Sequence, residues 1–171
     1  LLINHYMGTG KTLTALTAMY FLATRRLAIR YFIVIAPDSI LTEWQNEIDG
    51  WGIPADVRSN IHVMNYTQAV EWETSVPEEI RRISPEIMFV LDEAHRLTEA
   101  FERAEGETIV DSTRLEMRDT TNRLQRKWQR LSQVVEGAKR LMLLTGTPVY
   151  RSPFDLAILM NLMSRCSSGV N

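Results

Sequence analysis

Cysteine is nearly missing from this chain: Cys166 stands alone among 171 residues. That excludes an internal disulfide framework, fits a reducing compartment and leaves Cys166 as a packing residue. An excess of charge of one sign is missing as well, with 19 Lys and Arg against 21 Asp and Glu and a net charge of -2. Nothing in that balance marks a polyanion-binding chain, so any nucleic-acid contact has to come from a local patch. No apolar run approaches the roughly 18 residues of a membrane span, and no signal-peptide pattern occurs. The expectation is therefore no membrane and an intracellular setting, with nucleus, cytoplasm and viral particle all open. No Cys or His at zinc spacing accompanies His95, which argues against zinc.

What is present is enough apolar material, 45%, for one domain with a full core. Five short apolar, β-branched or aromatic runs recur: Leu1–Asn4, Tyr31–Ala36, Ile61–Asn65, Ile87–Leu91 and Leu141–Thr145. Several are continuous rather than alternating, the pattern of strands buried on both faces of a parallel sheet. Stretches of helical period lie between them. Leu13, Leu16 and Tyr20 share one face, Leu41, Trp44 and Ile48 another, and Leu124, Trp128, Leu131 and Val135 a third, with Asp38 or Ser39 able to cap the second. Alternating strand and helix predict an α/β fold: a three-layer domain with a mostly parallel sheet of five or more strands. The first residue already lies inside a strand, so residues 1–171 are expected to be a piece of a longer protein, lacking its start.

In such sheets ligands bind beyond the carboxyl ends of the strands. After the first strand comes Met7-Gly8-Thr9-Gly10-Lys11-Thr12, a glycine-rich turn into a helix. Its backbone N–H groups and the helix N-terminus would form a cavity for phosphate oxygens; Lys11 would reach the β- and γ-phosphates of a nucleoside triphosphate, and the Thr12 hydroxyl would ligate Mg²⁺. The strict phosphate-loop pattern wants glycine where His5 stands, so a plain tight turn with Lys11 in solvent is the competing reading. The fourth run ends in Asp92-Glu93-Ala94-His95. A carboxylate at a strand end opposite a phosphate loop can hold Mg²⁺ through coordinated water, which assigns the ion to Asp92, and the adjacent Glu93 can orient and deprotonate the attacking water. Capping of the next helix is the alternative use of these acids. His95 would hydrogen-bond toward the loop after the fifth strand.

With both motifs on the chain, it resembles the first RecA-like lobe of a superfamily 2 helicase or translocase, and within that group the SNF2-like ATPases, of the P-loop NTPase class. The resemblance rests on Met7–Thr12, on Ile35-Ala36-Pro37 leading to Trp44 and Glu47, on Asp92-Glu93-Ala94-His95-Arg96-Leu97, and on Leu143-Leu144-Thr145-Gly146-Thr147-Pro148. It implies ATP hydrolysis with Mg²⁺ coupled to movement along duplex DNA, and a second RecA-like lobe that completes the site. It also implies that Thr145, Gly146 and Thr147, with His95, couple the ATP site to the track. Pro37, Ser39, Asn65, Tyr66 and Arg151 become nucleic-acid candidates. Tyr66 reads equally well as a half-buried core aromatic.

Three departures from the family pattern stand out: His5-Tyr6 where an acidic pair is usual, Thr98-Glu99 after Arg96-Leu97, and Tyr150-Arg151 after Thr147-Pro148. They weigh against a chromatin remodeller more than against an ATPase, and the transcription-associated ATPases of large DNA viruses or phage helicases fit as well. Residues 98–121, polar and without apolar period, read as a surface insertion. Arg123, Arg126, Lys127 and Arg130 form a basic face that is either solvated or set against phosphates, and Trp44, Trp51 and Trp72 read as packing residues. The competing functions are a non-motor P-loop NTPase or small-molecule kinase, and a non-catalytic nucleotide-binding interaction module.

Overall fold

A computed structural model describes residues 1–6, 8–25, 29–72, 78, 80, 86–97, 129–135, 138–147 and 153–167. Met7, Arg151, the 98–121 stretch and basic residues 123–127 lie outside them. The five apolar runs form β1 (Leu2–Asn4), β2 (Tyr31–Ala36), β3 (Ile61–Asn65), β4 (Ile87–Leu91) and β5 (Arg140–Thr145). All pair in parallel, in the spatial order β1-β5-β4-β2-β3. The last strand in sequence thus enters the sheet between β1 and β4.

Continuous apolar strands are required here because the sheet is covered on both faces. Along β2, Phe32, Val34 and Ala36 pack with Ala15, Leu16 and Met19 of α1 (Lys11–Thr24) and with Trp44 and Ile48 of α2 (Leu41–Gly50). The alternate residues Ile33 and Ile35 pack with Leu131 and Val135 of the helical segment 129–135 and with Leu159 and Leu162 of the last helix, Pro153–Ser167. Period-two alternation divides the strand between two cores, giving the three layers.

Two local expectations are corrected. Leu13 and Tyr20 are exposed, and the buried face of α1 is Ala15, Leu16 and Met19, because that is the face that shares a core with Phe32 and Val34 of β2 and with Trp44 and Ile48 of α2, while Leu13 stands at the glycine-loop end of the helix. Asp38 and Ser39 do not cap α2: they form a 3-10 turn, Asp38–Ile40, that runs directly into it, so their backbone is already helical. The Asp38 carboxylate instead accepts a 2.7 Å hydrogen bond from the Asn65 amide at the end of β3. Asn65 in turn caps the short helix α4 (Tyr66–Val70) in a reciprocal box with Gln68; the four-residue α3 (Ala55–Arg58) precedes β3.

One side chain ties this packing to pH. His62 on β3 stacks on Tyr31 at 5.9 Å, its Nε2 is buried without a hydrogen-bond partner, and burial pushes its pKa below the usual value of 6.5. The unfolded chain therefore binds the proton more readily than the folded one. The stability His62 contributes is complete above pH 6.5 and is lost as pH falls below that value toward its lowered pKa. Thermal melts are expected to show a lower Tm at pH 5.5 than at pH 7.5, with the difference reduced in His62→Phe.

Candidate nucleotide site

The loop before α1 is shaped by two glycines in the left-handed region, Gly8 at φ 75° and Gly10 at φ 82°. Side chains avoid that region, so the turn needs glycine at both places. Gly10 is also the N-cap of α1, and this helix start has neither a side-chain cap nor an acidic residue in its first turn. Its orphan N–H donors are left for an external anion. The Lys11 ammonium folds back over the loop and donates to the carbonyls of His5 at 3.0 Å and Tyr6 at 3.5 Å.

At the end of β4, Asp92 is buried, and its N–H donates to the Ile35 carbonyl at 2.8 Å. Its Oδ2 accepts from the indole N–H of Trp44 at 2.8 Å and its Oδ1 from the backbone N–H of Glu93, also at 2.8 Å. Burial raises the Asp92 pKa above the usual carboxylate range; these two donors and the charge of Lys11 oppose the rise, while the charge of Glu93 adds to it. Glu93 itself sits at φ 51°, the one left-handed non-glycine among the described residues. Its carboxylate lies 3.2 Å from His95 Nδ1, and the same nitrogen is 3.0 Å from the Thr145 hydroxyl, which accepts from the N–H of Thr147 at 3.1 Å.

The sheet order brings these pieces together. Gly8, Gly10, Lys11, Thr12, Asp92 and Glu93 all line one cleft of about 500 Å³, completed by Trp44 and Glu47 of α2 and by Trp51 just after it. β5 lies between the two motif-bearing strands, and its following residue, Gly146, stands beside the His5 carbonyl and the Lys11 ammonium. A Cβ built there would stand 3.5 Å from the His5 carbonyl and 3.8 Å from Lys11 Nζ. The donor set suits Mg²⁺, which takes few protein ligands: one hydroxyl, Thr12, and one buried carboxylate, Asp92, whose raised pKa reflects a charge that a cation would offset.

The nucleic-acid candidates are placed differently from one another. Ser39 is exposed, whereas Pro37 is buried, and both ends of the Asn65 amide are engaged by Asp38 and Gln68. The Tyr66 hydroxyl turns inward and donates to the Asp92 carbonyl at 2.8 Å, and burial raises its pKa. Sequence reasoning missed Trp44 and Tyr66 as partners of Asp92. Their only sequence signal is a polar-tipped aromatic, Tyr66 just beyond a strand end and Trp44 on the apolar face of a helix, where a buried N–H or O–H needs an acceptor.

A model of the SNF2-related domain matches residues 1–167. The chain belongs to the SNF2-related domain family. A termination factor NPH-I homolog of African swine fever virus (isolate Pig/Kenya/KEN-50/1950) is 28% identical over 174 residues, covering 96% of this chain and 22% of that protein. This SNF2-related chain thus spans about a fifth of the length of the curated relative it matches, at 22%. The Sulfolobus solfataricus SWI2/SNF2 ATPase core, solved in complex with dsDNA, aligns with a TM-score of 0.60 at 17% identity, over 98% of this chain and 34% of that one. That likeness shows the fold: the five parallel strands are arranged as in a RecA-like ATPase core.

Proposed function

We propose that this lobe binds ATP with Mg²⁺ and hydrolyses it to drive movement along duplex DNA, working with a second RecA-like lobe in an intracellular protein. The observation that carries the reading is the convergence of Lys11 and Asp92 on one cleft from strands separated by β5.

On this reading the loop N–H groups and the start of α1 take the β- and γ-phosphates, and Lys11 leaves the His5 and Tyr6 carbonyls to join them. Thr12 and Asp92 would hold Mg²⁺, which supplies neutralisation of the phosphate oxygens when bound. Glu93 accepts a proton from the attacking water as its oxygen bonds to the γ-phosphorus and the β–γ bridging oxygen departs with its electron pair. His95, whose Nδ1 lies within reach of both the Glu93 carboxylate and the Thr145 hydroxyl, is placed to link that carboxylate to the segment 145–147. Ser39 on the 3-10 turn is the candidate best exposed toward a phosphate backbone.

Hydrolysis by the full-length protein is expected to rise on adding duplex DNA and to fall back as salt screens the phosphate contacts. Lys11→Ala and Glu93→Gln serve as inactive references, and single-stranded RNA as a parallel arm. A rate that DNA leaves unchanged refutes the motor and leaves a non-motor NTPase. No loss of hydrolysis in Glu93→Gln leaves only a nucleotide-binding module.

A further inference from the structure

Asp92 is gripped from outside its own strand by two aromatic side chains. Trp44, 1% exposed on α2, donates its indole N–H to Oδ2 at 2.8 Å, while Tyr66, at the start of α4, donates its hydroxyl to the main-chain carbonyl at 2.8 Å. The two bonds fix different things. With Oδ2 held by Trp44 and Oδ1 by the Glu93 N–H, the carboxylate plane cannot turn, and its remaining lone pairs face a set direction. The peptide joining Asp92 to Glu93 is held at both polar ends, its carbonyl by Tyr66 and its N–H by Oδ1. That peptide sets Glu93 at φ 51°, a conformation a glutamate keeps only where its surroundings impose it.

We propose that Trp44 and Tyr66 are positioning residues with separable tasks: Trp44 aims the Asp92 carboxylate at the metal ion, and Tyr66 aims the Glu93 side chain at the attacking water. The inference rests on the ATPase reading above. It goes further in assigning orientation to residues on α2 and α4, the helices that follow the 3-10 turn bearing Ser39 and the end of β3 at Asn65. The Asn65 amide donates to the Asp38 carboxylate at 2.7 Å, joining the segments that lead into α2 and α4, so the two aromatic donors reach Asp92 from linked supports.

A buried Trp and Tyr bonded to whatever acceptor lies near would, on mutation, damage binding and turnover together. Separable tasks give a double dissociation in the full-length protein. For Trp44→Phe, the affinity for a fluorescent ADP analogue is expected to be unchanged in EDTA. Its enhancement by Mg²⁺, and the Mg²⁺ concentration for half-saturation, should weaken by about 10–100-fold, the range for losing a hydrogen bond behind a metal ligand. For Tyr66→Phe, both binding measurements should match wild type while kcat falls by about 10–100-fold at unchanged KM, the effect of a misaimed reacting group. Should Trp44→Phe melt too low to assay, benzothienylalanine at position 44 replaces the N–H by sulfur and keeps the ring volume. For Tyr66 the bound-state readouts in EDTA report folding directly. Parallel losses in all readouts for both variants, or Mg²⁺ dependence unaltered at position 44, overturn the inference while leaving the ATPase reading intact. Absence of Mg²⁺-dependent hydrolysis in the wild type removes both.

Discussion

Glu93→Gln in the full-length protein is expected to lower kcat for ATP hydrolysis by about 10²–10⁴-fold, the usual contribution of a positioned general base, with nucleotide affinity preserved. The substitution is nearly isosteric, and what it removes is the capacity to take a proton. Backbone conformation does not confound the measurement. Glu93 holds φ 51° by virtue of its neighbours, and glutamine carries the same Cβ and the same strain of about 1–3 kcal/mol for a left-handed residue. The side chain is 23% exposed beside His95, so no core contact is lost. Phosphate release against time gives kcat, and equilibrium binding of a fluorescent nucleotide gives affinity. A variant that loses binding and turnover alike would move Glu93 from proton transfer to nucleotide binding.

Residues 1–171 expressed alone are expected to bind Mg·ATP yet turn it over about 10³–10⁵-fold more slowly than the full-length protein, the range attributed to a missing arginine finger. The electrostatics of the cleft give the reason. Among the described residues lining it, Lys11 is the single cation, facing the carboxylates of Glu43, Glu47, Asp92 and Glu93. One ammonium and one Mg²⁺ can hold a triphosphate, but charge that develops on the transferring phosphoryl group needs a further donor aimed at it. No arginine lines this cleft among the described residues. Single-turnover hydrolysis, with nucleotide binding as the check that the lobe is folded, measures the deficit. A rate equal to that of the full-length protein would show that the missing charge comes from within residues 1–171.

The strands were legible from sequence because each depends on local pattern. The runs at 31–36, 61–65 and 87–91 coincide with β2, β3 and β4, and those at 1–4 and 141–145 differ from β1 and β5 by one residue at the start. The helix faces were legible where bulky residues mark them, as with Trp44 and Ile48, and misleading on α1, where Ala15 and Met19 lie inward while Leu13 and Tyr20 do not. The face that turns inward is the one that meets Phe32 and Val34 of β2 and Trp44 and Ile48 of α2 in a shared core. A period count does not carry that docking.

By itself, then, the sequence determined which groups are present: glycines for a left-handed turn, a lysine and threonine after them, paired acids at a strand end, and the apolar runs that make a parallel sheet. Tertiary structure decided how those groups meet. Placing β5 between β1 and β4 brings Lys11 and Asp92 to one cleft, and the packing of α2 and α4 delivers Trp44 and Tyr66 to Asp92 across 48 and 26 residues of chain. Local spacing encodes which groups share a helix face or a strand end. A hydrogen bond between distant segments follows only when the whole core has fixed where those segments lie, and for that reason the sequence did not say that Trp44 and Tyr66 would support Asp92.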